Sequence, residues 1–142
     1  MPQSTADIKA KARRMWEEII PGNDATTVYE VTHVDLVDHS ARPGEPPGIE
    51  GVIGTMLWLN SVFSDLAFDV HHVIAEGDTV AVHSTLTGRH TGHLMGVPPT
   101  GRRVATPMVH ILRFRDGLAA EHWAVHDDLA TMRQLGLVPS PA

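Results

Sequence analysis

The chain of 142 residues contains no cysteine, which excludes a disulfide framework, thiol chemistry and cysteine ligands for a metal. It is also poor in basic residues, since 11 Lys and Arg stand against 17 Asp and Glu, giving a net charge of -6. That charge argues against a nucleic-acid partner, because no basic stripe is present to bind phosphates. No apolar run approaches the length of a membrane span, and the N-terminus lacks the apolar core of a signal peptide. We therefore expect a cytoplasmic protein that acts without a membrane.

Histidine is what the chain has in abundance, with 10 copies, and 42% of its residues are hydrophobic. This hydrophobic share is sufficient for a sizeable core, and the length suits a single domain over 1–142. Histidine titrates near neutral pH and can act as an acid, a base or a metal ligand. The histidines are therefore the first candidates for chemistry, although some can simply be surface residues.

Apolar residues at helical spacing occupy the first part of the chain. The pattern predicts an amphipathic helix over 8–20, with Ser4 as its cap and Pro21-Gly22 as its end. A shorter helix is predicted over 23–31 and a third over 49–60. Between the last two, a short extended piece precedes a loop with three prolines.

The periodicity changes from helical to alternating near Leu66, which indicates strands from there on. Strands are predicted over 66–75, 79–90, 102–115 and 118–125. Glu76-Gly77-Asp78 and Asp116-Gly117 have the composition of hairpin turns, and a short helix capped by Asp127 or Asp128 closes the chain. This order predicts an α+β fold in which three N-terminal helices pack on a curved antiparallel sheet that encloses a pocket.

Three short motifs in the second half carry a family resemblance. They are GRHTGHLMGVPPTGRRV, the strand that includes Val109-His110, and EHWAVHDDLATMRQLG, in this order. With the order of the elements, they resemble the SnoaL-like polyketide cyclase family and the NTF2-like cone fold, most closely over 87–136. The resemblance implies cofactor-independent enolisation and aldol-type ring closure on a polyketide-like or cyclic ketone substrate.

The resemblance also implies two acid/base positions on neighbouring strands. The histidine position of the family corresponds to His110, whereas the aspartate position falls on Ala124. A methyl group cannot move a proton, so either another residue takes that role or the protein does not perform the cyclase reaction. The second alternative is an accessory ligand-binding protein that assists an oxygenase in polyketide tailoring. Hydration or epoxide opening by a water molecule held in the pocket stays open as a third.

His110 lies in mid-strand and shares a face with Met108 and Leu112. We predict that it stabilises a developing enolate oxygen, with His122 as the first candidate base and Asp127 as the second. The alternatives are a core histidine for His110, an orienting role for His122 and helix capping for Asp127.

The predicted pocket holds a hydrophobic small molecule. Trp58 is the best aromatic candidate to stack on a flat polycyclic substrate. The other residues that we expect to line the pocket are Met108, Leu112, Ala124 and His83.

Neither a metal nor an organic cofactor is expected. His90 and His93, and likewise His122 and His126, are closely spaced, but they fall at strand ends and in loops without an acidic residue to complete a motif. The glycines of 88–101 do not form GxGxxG before a helix, so they do not predict a phosphate cradle.

Two expectations follow from strand pairing. Counting outward from the Asp116-Gly117 turn puts His110 opposite Trp123, whereas the family pattern requires His110 and His122 on one face. A β-bulge or a longer turn would reconcile the two. The opposite face carries apolar residues at Ala105, Val109 and Ile111. An antiparallel sheet covered on one face must solvate or pair the other, so we expect a homodimer or higher homo-oligomer through this face.

Overall fold

The computed structural model describes residues 3–139 and contains helices packed on a curved five-stranded sheet. The helices are α1 (Thr5–Arg14), α2 (Ile20–Gly22), α3 (Ala25–Val28), α4 (Ile49–Val62) and α5 (Asp128–Gln134). The strands are β1 (Thr32–Asp38), β2 (Phe63–Glu76), β3 (Thr79–His90), β4 (Arg103–Arg115) and β5 (Leu118–His126). The predicted α+β architecture is confirmed. Within this part of the chain, no helix is long and apolar enough to cross a membrane.

The N-terminal helical segment is continuous but changes its winding. Ser4 caps α1, since its Oγ accepts from the backbone N–H of Asp7 at 3.0 Å. The π-helical turn Met15–Ile19 joins α1 to α2, and the segment ends at Asn23, which adopts a left-handed conformation with φ 57°. The predicted second helix over 23–31 is shorter than expected, because only α3 within it is helical.

The strands lie in the order β1-β5-β4-β3-β2, so β1 and β2 are the two edges of an unclosed sheet. The four strands from β2 to β5 pair antiparallel, as predicted, whereas β1 runs parallel to β5. Tight hairpins force consecutive strands to be antiparallel. No hairpin joins β1 to its neighbour in the sheet, so its direction is free of that constraint.

Strict alternation along β4 separates an inner face, packed against the helices, from an outer face. The inner residues of β4 are buried at every second position and include Met108, His110, Leu112 and Phe114. The apolar residues Met108, Leu112 and Phe114 pack in one cluster with Ile8 and Trp16 from the N-terminal helical segment. A histidine in this apolar row is therefore held in the interior rather than at the surface.

A β-bulge between β4 and β5 sets which residues face His110. Phe114 pairs with Ala119, but Arg113 pairs with Glu121, so Ala120 is the extra residue. Beyond the bulge, His110 lies opposite Ala124, and Leu112 lies opposite His122. Of the two expected alternatives, a bulge or a longer turn, the structure has the bulge, which brings His122 to the inner face as the diagonal neighbour of His110.

Candidate active site

His110 is the buried centre of the candidate site, with only 6% of its surface exposed. The indole ring of Trp16 stacks on it, with 4.2 Å between ring centroids and 25° between ring planes. Trp16 comes from the π-helical turn, a type of helix distortion that is frequent at functional sites. The stacked indole removes one face of the imidazole from solvent.

Three side chains form a continuous hydrogen-bonded series, which we call the relay: Asp38, His122 and His110. Nδ1 of His110 lies 2.9 Å from Nε2 of His122. Nδ1 of His122 lies 2.9 Å from Oδ1 of Asp38. Asp38 is the last residue of β1 and pairs directly with His122 in the parallel β1–β5 ladder. The parallel edge strand thus supplies a carboxylate to two histidines on neighbouring strands.

The carboxylate of Asp38 is held in place by more than His122. The backbone N–H of Ser40 donates to the same Oδ1 at 2.9 Å. Burial favours the neutral acid, but the hydrogen bond and charge of His122 together with the Ser40 N–H outweigh it, so the pKa of Asp38 is lowered. Asp38 is therefore ionised at neutral pH and can stabilise a positive charge on His122.

The environment of His110 opposes protonation. Burial is the largest cause, followed by repulsion from His122 and then from His126, and together they hold the pKa of His110 well below its ordinary value. His126 is exposed, and its ring centroid lies 5.6 Å from that of His110. His110 is therefore neutral at physiological pH, as a base must be before it accepts a proton.

The acceptor at one end of the relay dictates the tautomers along it. A carboxylate only accepts, so Nδ1 of His122 donates to Asp38, and in the neutral form of His122 the other nitrogen, Nε2, is an acceptor. Nδ1 of neutral His110 then donates to that nitrogen, and Nε2 of His110 carries a lone pair. This Nε2 lies 3.1 Å from Sδ of Met108, which has no proton to donate, so in this tautomer the thioether does not hydrogen-bond the lone pair.

A surface groove of about 540 Å³ adjoins the carboxylate end of the relay. It lies between β1 and the proline-rich loop 41–48, and Asp38 is among its lining residues. His122 and Asp38 keep 17% and 19% of their side-chain surface exposed, respectively. The relay therefore runs from a partly solvated carboxylate to a buried imidazole.

Of the predicted pocket residues, Met108, Leu112 and Ala124 surround the relay histidines. Met108 contacts His110, Leu112 lies opposite His122, and Ala124 lies opposite His110. Trp58 lies on α4, and the guanidinium of Arg42 sits 4.2 Å from the centre of its ring. This cation covers one face of the ring on which we expected a flat substrate to stack.

The prediction of His83 as a pocket residue is wrong. His83 is exposed, because the alternation along β3 buries Val82 and Ser84 and turns residue 83 to the outer face. There its Nδ1 lies 3.0 Å from Nδ1 of His72. The strand period correctly predicted which residues share its face, but not that this face is the outer one.

Asp127 serves as a helix cap. Its Oδ1 accepts from the backbone N–H of Ala130 at 3.0 Å at the start of α5. Its carboxylate therefore caps α5 and is not part of the relay. Helix capping is the alternative role that the sequence left open for Asp127.

Two residues of the site were not predicted from the sequence. Asp38 ends an extended segment whose partner strand lies some 80 positions later, and no local signal indicates that pairing. Trp16 fits the apolar stripe of the first helix and was indistinguishable from an ordinary core residue. In the described range 3–139, no three His, Cys, Asp or Glu residues are grouped so that they could hold a metal ion.

Comparisons with known proteins identify the family of this chain. The family model for SnoaL-like polyketide cyclases matches residues 10–135. Aklanonic acid methyl ester cyclase DnrD of Streptomyces peucetius is 34% identical over 127 residues, covering 87% of each chain. Nogalonic acid methyl ester cyclase of Streptomyces nogalater is 34% identical over 115 residues, covering 77% of this chain and 83% of the relative.

A solved structure gives the same result for the fold. TsrD from Streptomyces laurentii superposes with a TM-score of 0.88 at 26% identity, covering 96% of this chain and 100% of that one. The helices, the mixed sheet and the family match over 126 of the 142 positions (10–135) lead to one conclusion. The chain belongs to the SnoaL-like polyketide cyclase family.

Proposed function

We propose that this protein is a polyketide cyclase that closes a ring by an intramolecular aldol reaction without a cofactor. The substrate class is the methyl ester of a polycyclic polyketide acid, by analogy with the cyclases for aklanonic and nogalonic acid methyl esters. The relay is the observation that carries the proposal. It supplies a carboxylate, Asp38, to a chain that has Ala124 where the family resemblance requires an acid/base aspartate.

In this proposal, Nε2 of His110 is the base. His122 was the first candidate from the sequence, but its Nε2 is engaged by His110 and its Nδ1 by Asp38. His122 therefore acts through His110, and Asp38 acts through His122. The substrate displaces the thioether of Met108 from Nε2, which suits a flexible side chain that adapts to different neighbours.

The first step is enolisation. Nε2 of His110 takes a proton from a carbon next to a carbonyl group, and the electrons of the broken C–H bond form the enolate. The Nδ1 proton of His110 moves to Nε2 of His122, which becomes an imidazolium beside the Asp38 carboxylate. A buried His110 is a poor place for a positive charge, so moving that charge next to a carboxylate favours this step.

The second step is ring closure. The enolate carbon attacks a ketone carbon of the same molecule, a C–C bond forms, and the electrons of the C=O π bond move to oxygen as an alkoxide. The alkoxide takes the Nε2 proton of His110, and His122 returns its proton to Nδ1 of His110. The product is an isomer of the substrate, and the relay ends in its starting state.

The test is turnover of aklanonic acid methyl ester and nogalonic acid methyl ester by the full chain without added cofactor, followed by chromatography and mass spectrometry. We expect a product of unchanged mass and altered absorbance. Asp38→Asn should lower kcat by about 10²- to 10⁴-fold, the usual contribution of general acid–base catalysis. Asp35→Asn is the matched control, because Asp35 lies on the same strand with a largely exposed side chain.

Two results would contradict the proposal. One is the absence of any cyclised product from either ester. The other is an Asp38→Asn variant that turns over as fast as the parent, which would leave the relay without a role. Ester binding without turnover would instead favour the accessory ligand-binding alternative.

A further inference from the structure

Ser84 is a buried polar residue that the relay does not use. It lies on the inner face of β3 with no exposed surface, and its hydroxyl has no hydrogen-bond partner among the described residues. Its cross-strand neighbours are Val70 on β2 and Met108 on β4, neither of which offers a strong acceptor. Buried hydroxyl groups are normally hydrogen-bonded, so this one is available to a ligand.

The register of β3 and β4 places Ser84 close to His110 on the same inner face of the sheet. Ser84 lies opposite Met108, whose Sδ contacts Nε2 of His110. His110 itself lies opposite Val82, which makes Ser84 its diagonal neighbour on the same face. Diagonal neighbours lie about 7–8 Å apart, with their Cβ atoms somewhat closer, so one small group can contact both side chains.

A neighbouring hydroxyl on the same face differs in this respect. Oγ1 of Thr106, two positions before Met108, is hydrogen-bonded to Oγ1 of Thr131 on α5. That pair joins α5 to the sheet and is satisfied within the protein. The hydroxyl of Ser84 is thus the free one on the β3–β4 surface next to His110.

The proposed reaction needs such a group. When His110 removes the proton, negative charge develops on the carbonyl oxygen of the substrate. In the tautomer that the relay imposes, Nε2 of His110 has no proton to donate to that oxygen. A serine hydroxyl donates one hydrogen bond, and in an interior of low dielectric such a bond to a developing oxyanion is strong.

We propose that Ser84 binds the carbonyl oxygen of the substrate group that is enolised and donates a hydrogen bond to it as the enolate forms. This inference rests on the proposed function for the identity of the reaction. His110 takes the proton and Ser84 holds the oxygen, so the two sides of the enolisation fall on two strands, β4 and β3.

The experiment compares Ser84→Ala and Ser84→Cys with the parent, using aklanonic acid methyl ester as the probe. Thr32→Val is the matched control, since Thr32 is also buried with an unpartnered hydroxyl but lies at the start of β1, next to Ala119. We expect kcat to fall about 100-fold in Ser84→Ala, as for loss of an oxyanion donor, with an intermediate loss in Ser84→Cys. The pH dependence of kcat should not move, because the relay is intact.

Thermal unfolding separates this role from a structural one. Removal of an unsatisfied hydroxyl should leave the Tm of both Ser84→Ala and Thr32→Val unchanged or raised. Only Thr32→Val should keep the kcat of the parent. A parent-like kcat in Ser84→Ala, or an equal rate loss in Thr32→Val, would overturn the inference.

Ester binding, measured by quenching of tryptophan fluorescence, distinguishes failure of this inference from failure of the proposed function. A parent that binds but does not cyclise the ester defeats the proposed function, and weaker binding by Ser84→Ala then still supports this contact. Equal binding of the ester by Ser84→Ala and the parent, or no binding by the parent, would contradict the contact of Ser84 with the substrate.

Discussion

Oδ1 of Asp38 lies 2.9 Å from Nδ1 of His122, although 84 positions separate the two residues in the chain. The contact exists because β1 runs beside β5 in a parallel ladder, in which Asp38 and His122 are direct partners. It puts a carboxylate behind a histidine in a chain with Ala124 at the position that the family resemblance assigns to an aspartate. The acidic group that serves the two histidines is thus supplied by β1, which lies on the side of β5 away from β4.

Restoring an aspartate at position 124 should compensate for loss of Asp38. Ala124 lies opposite His110 on the inner face, so a carboxylate there would meet the imidazole directly. We expect Ala124→Asp to recover at least about tenfold of the kcat lost in Asp38→Asn, within the range of general acid–base effects. Ala124→Asn in the same background is the control of matched size, and equal rates in the two double variants would show that charge is not the cause.

The buried position of His110 should make the protein less stable in mild acid. In the unfolded chain His110 binds a proton near pH 6.5, whereas in the folded protein its pKa is well below that value. Between these two values the unfolded state holds the extra proton, so stability is full above about pH 6.5 and falls as the pH drops.

His110→Gln should remove this effect. The free energy of unfolding of the parent, minus that of the variant, should fall by up to about 1.4 kcal/mol per pH unit below pH 6.5. Urea denaturation between pH 8 and pH 5 measures it. The carboxyl of Asp38 has a lowered pKa, so its own contribution is lost only below about pH 4, outside this window. A constant difference between parent and variant would show that His110 accepts a proton without unfolding.

Two glycines should respond to alanine in opposite directions. A Cβ at Gly92 would lie 1.8 Å from the backbone oxygen of Ser61, so Gly92→Ala should destabilise the fold by about 1–3 kcal/mol. A Cβ at Gly54, inside α4, meets nothing within 4 Å, and Gly54→Ala should stabilise by about 0.5–1 kcal/mol through helix propensity. Denaturant midpoints check both, and a tolerated Gly92→Ala would mean that the loop after β3 is free to move away from Ser61.

The outer face of the sheet should mediate self-association, which is still a prediction from the sequence. Its apolar patch consists of Ala105, Val109, Ile111 and Val125, and Val109 and Val125 are cross-strand partners. We expect light scattering at micromolar concentration to give twice the mass of one chain. Val109→Glu should give the monomer, because it buries a charge in that interface. Val34→Glu, an exposed apolar position on β1, should stay dimeric; a monomeric parent would contradict the prediction.

Local patterns in the sequence determined much of this fold. The period-two pattern between the Gly-containing turns identified β3 at the limits that the structure has, Thr79–His90, and placed β4 and β5 to within one residue. The conflict between turn counting and the family pattern predicted either a bulge or a longer turn, and the structure has the bulge, which carries His122 to the face of His110. These features depend on neighbours in the chain, for which side-chain periodicity and turn composition are direct signals.

Tertiary structure alone decided the rest. Alternation along β3 grouped His83 with its outer neighbours and Ser84 with the inner ones, but only the packed helices determine which group is enclosed. Asp38 joins the site because β1 pairs in parallel with a strand from the other end of the chain. Trp16 lies in a π-helical turn near the start of the chain and stacks on His110 of a distant strand. Each of these features depends on contacts between segments that are far apart in the chain. The spacing of nearby residues does not indicate which distant segments make such contacts.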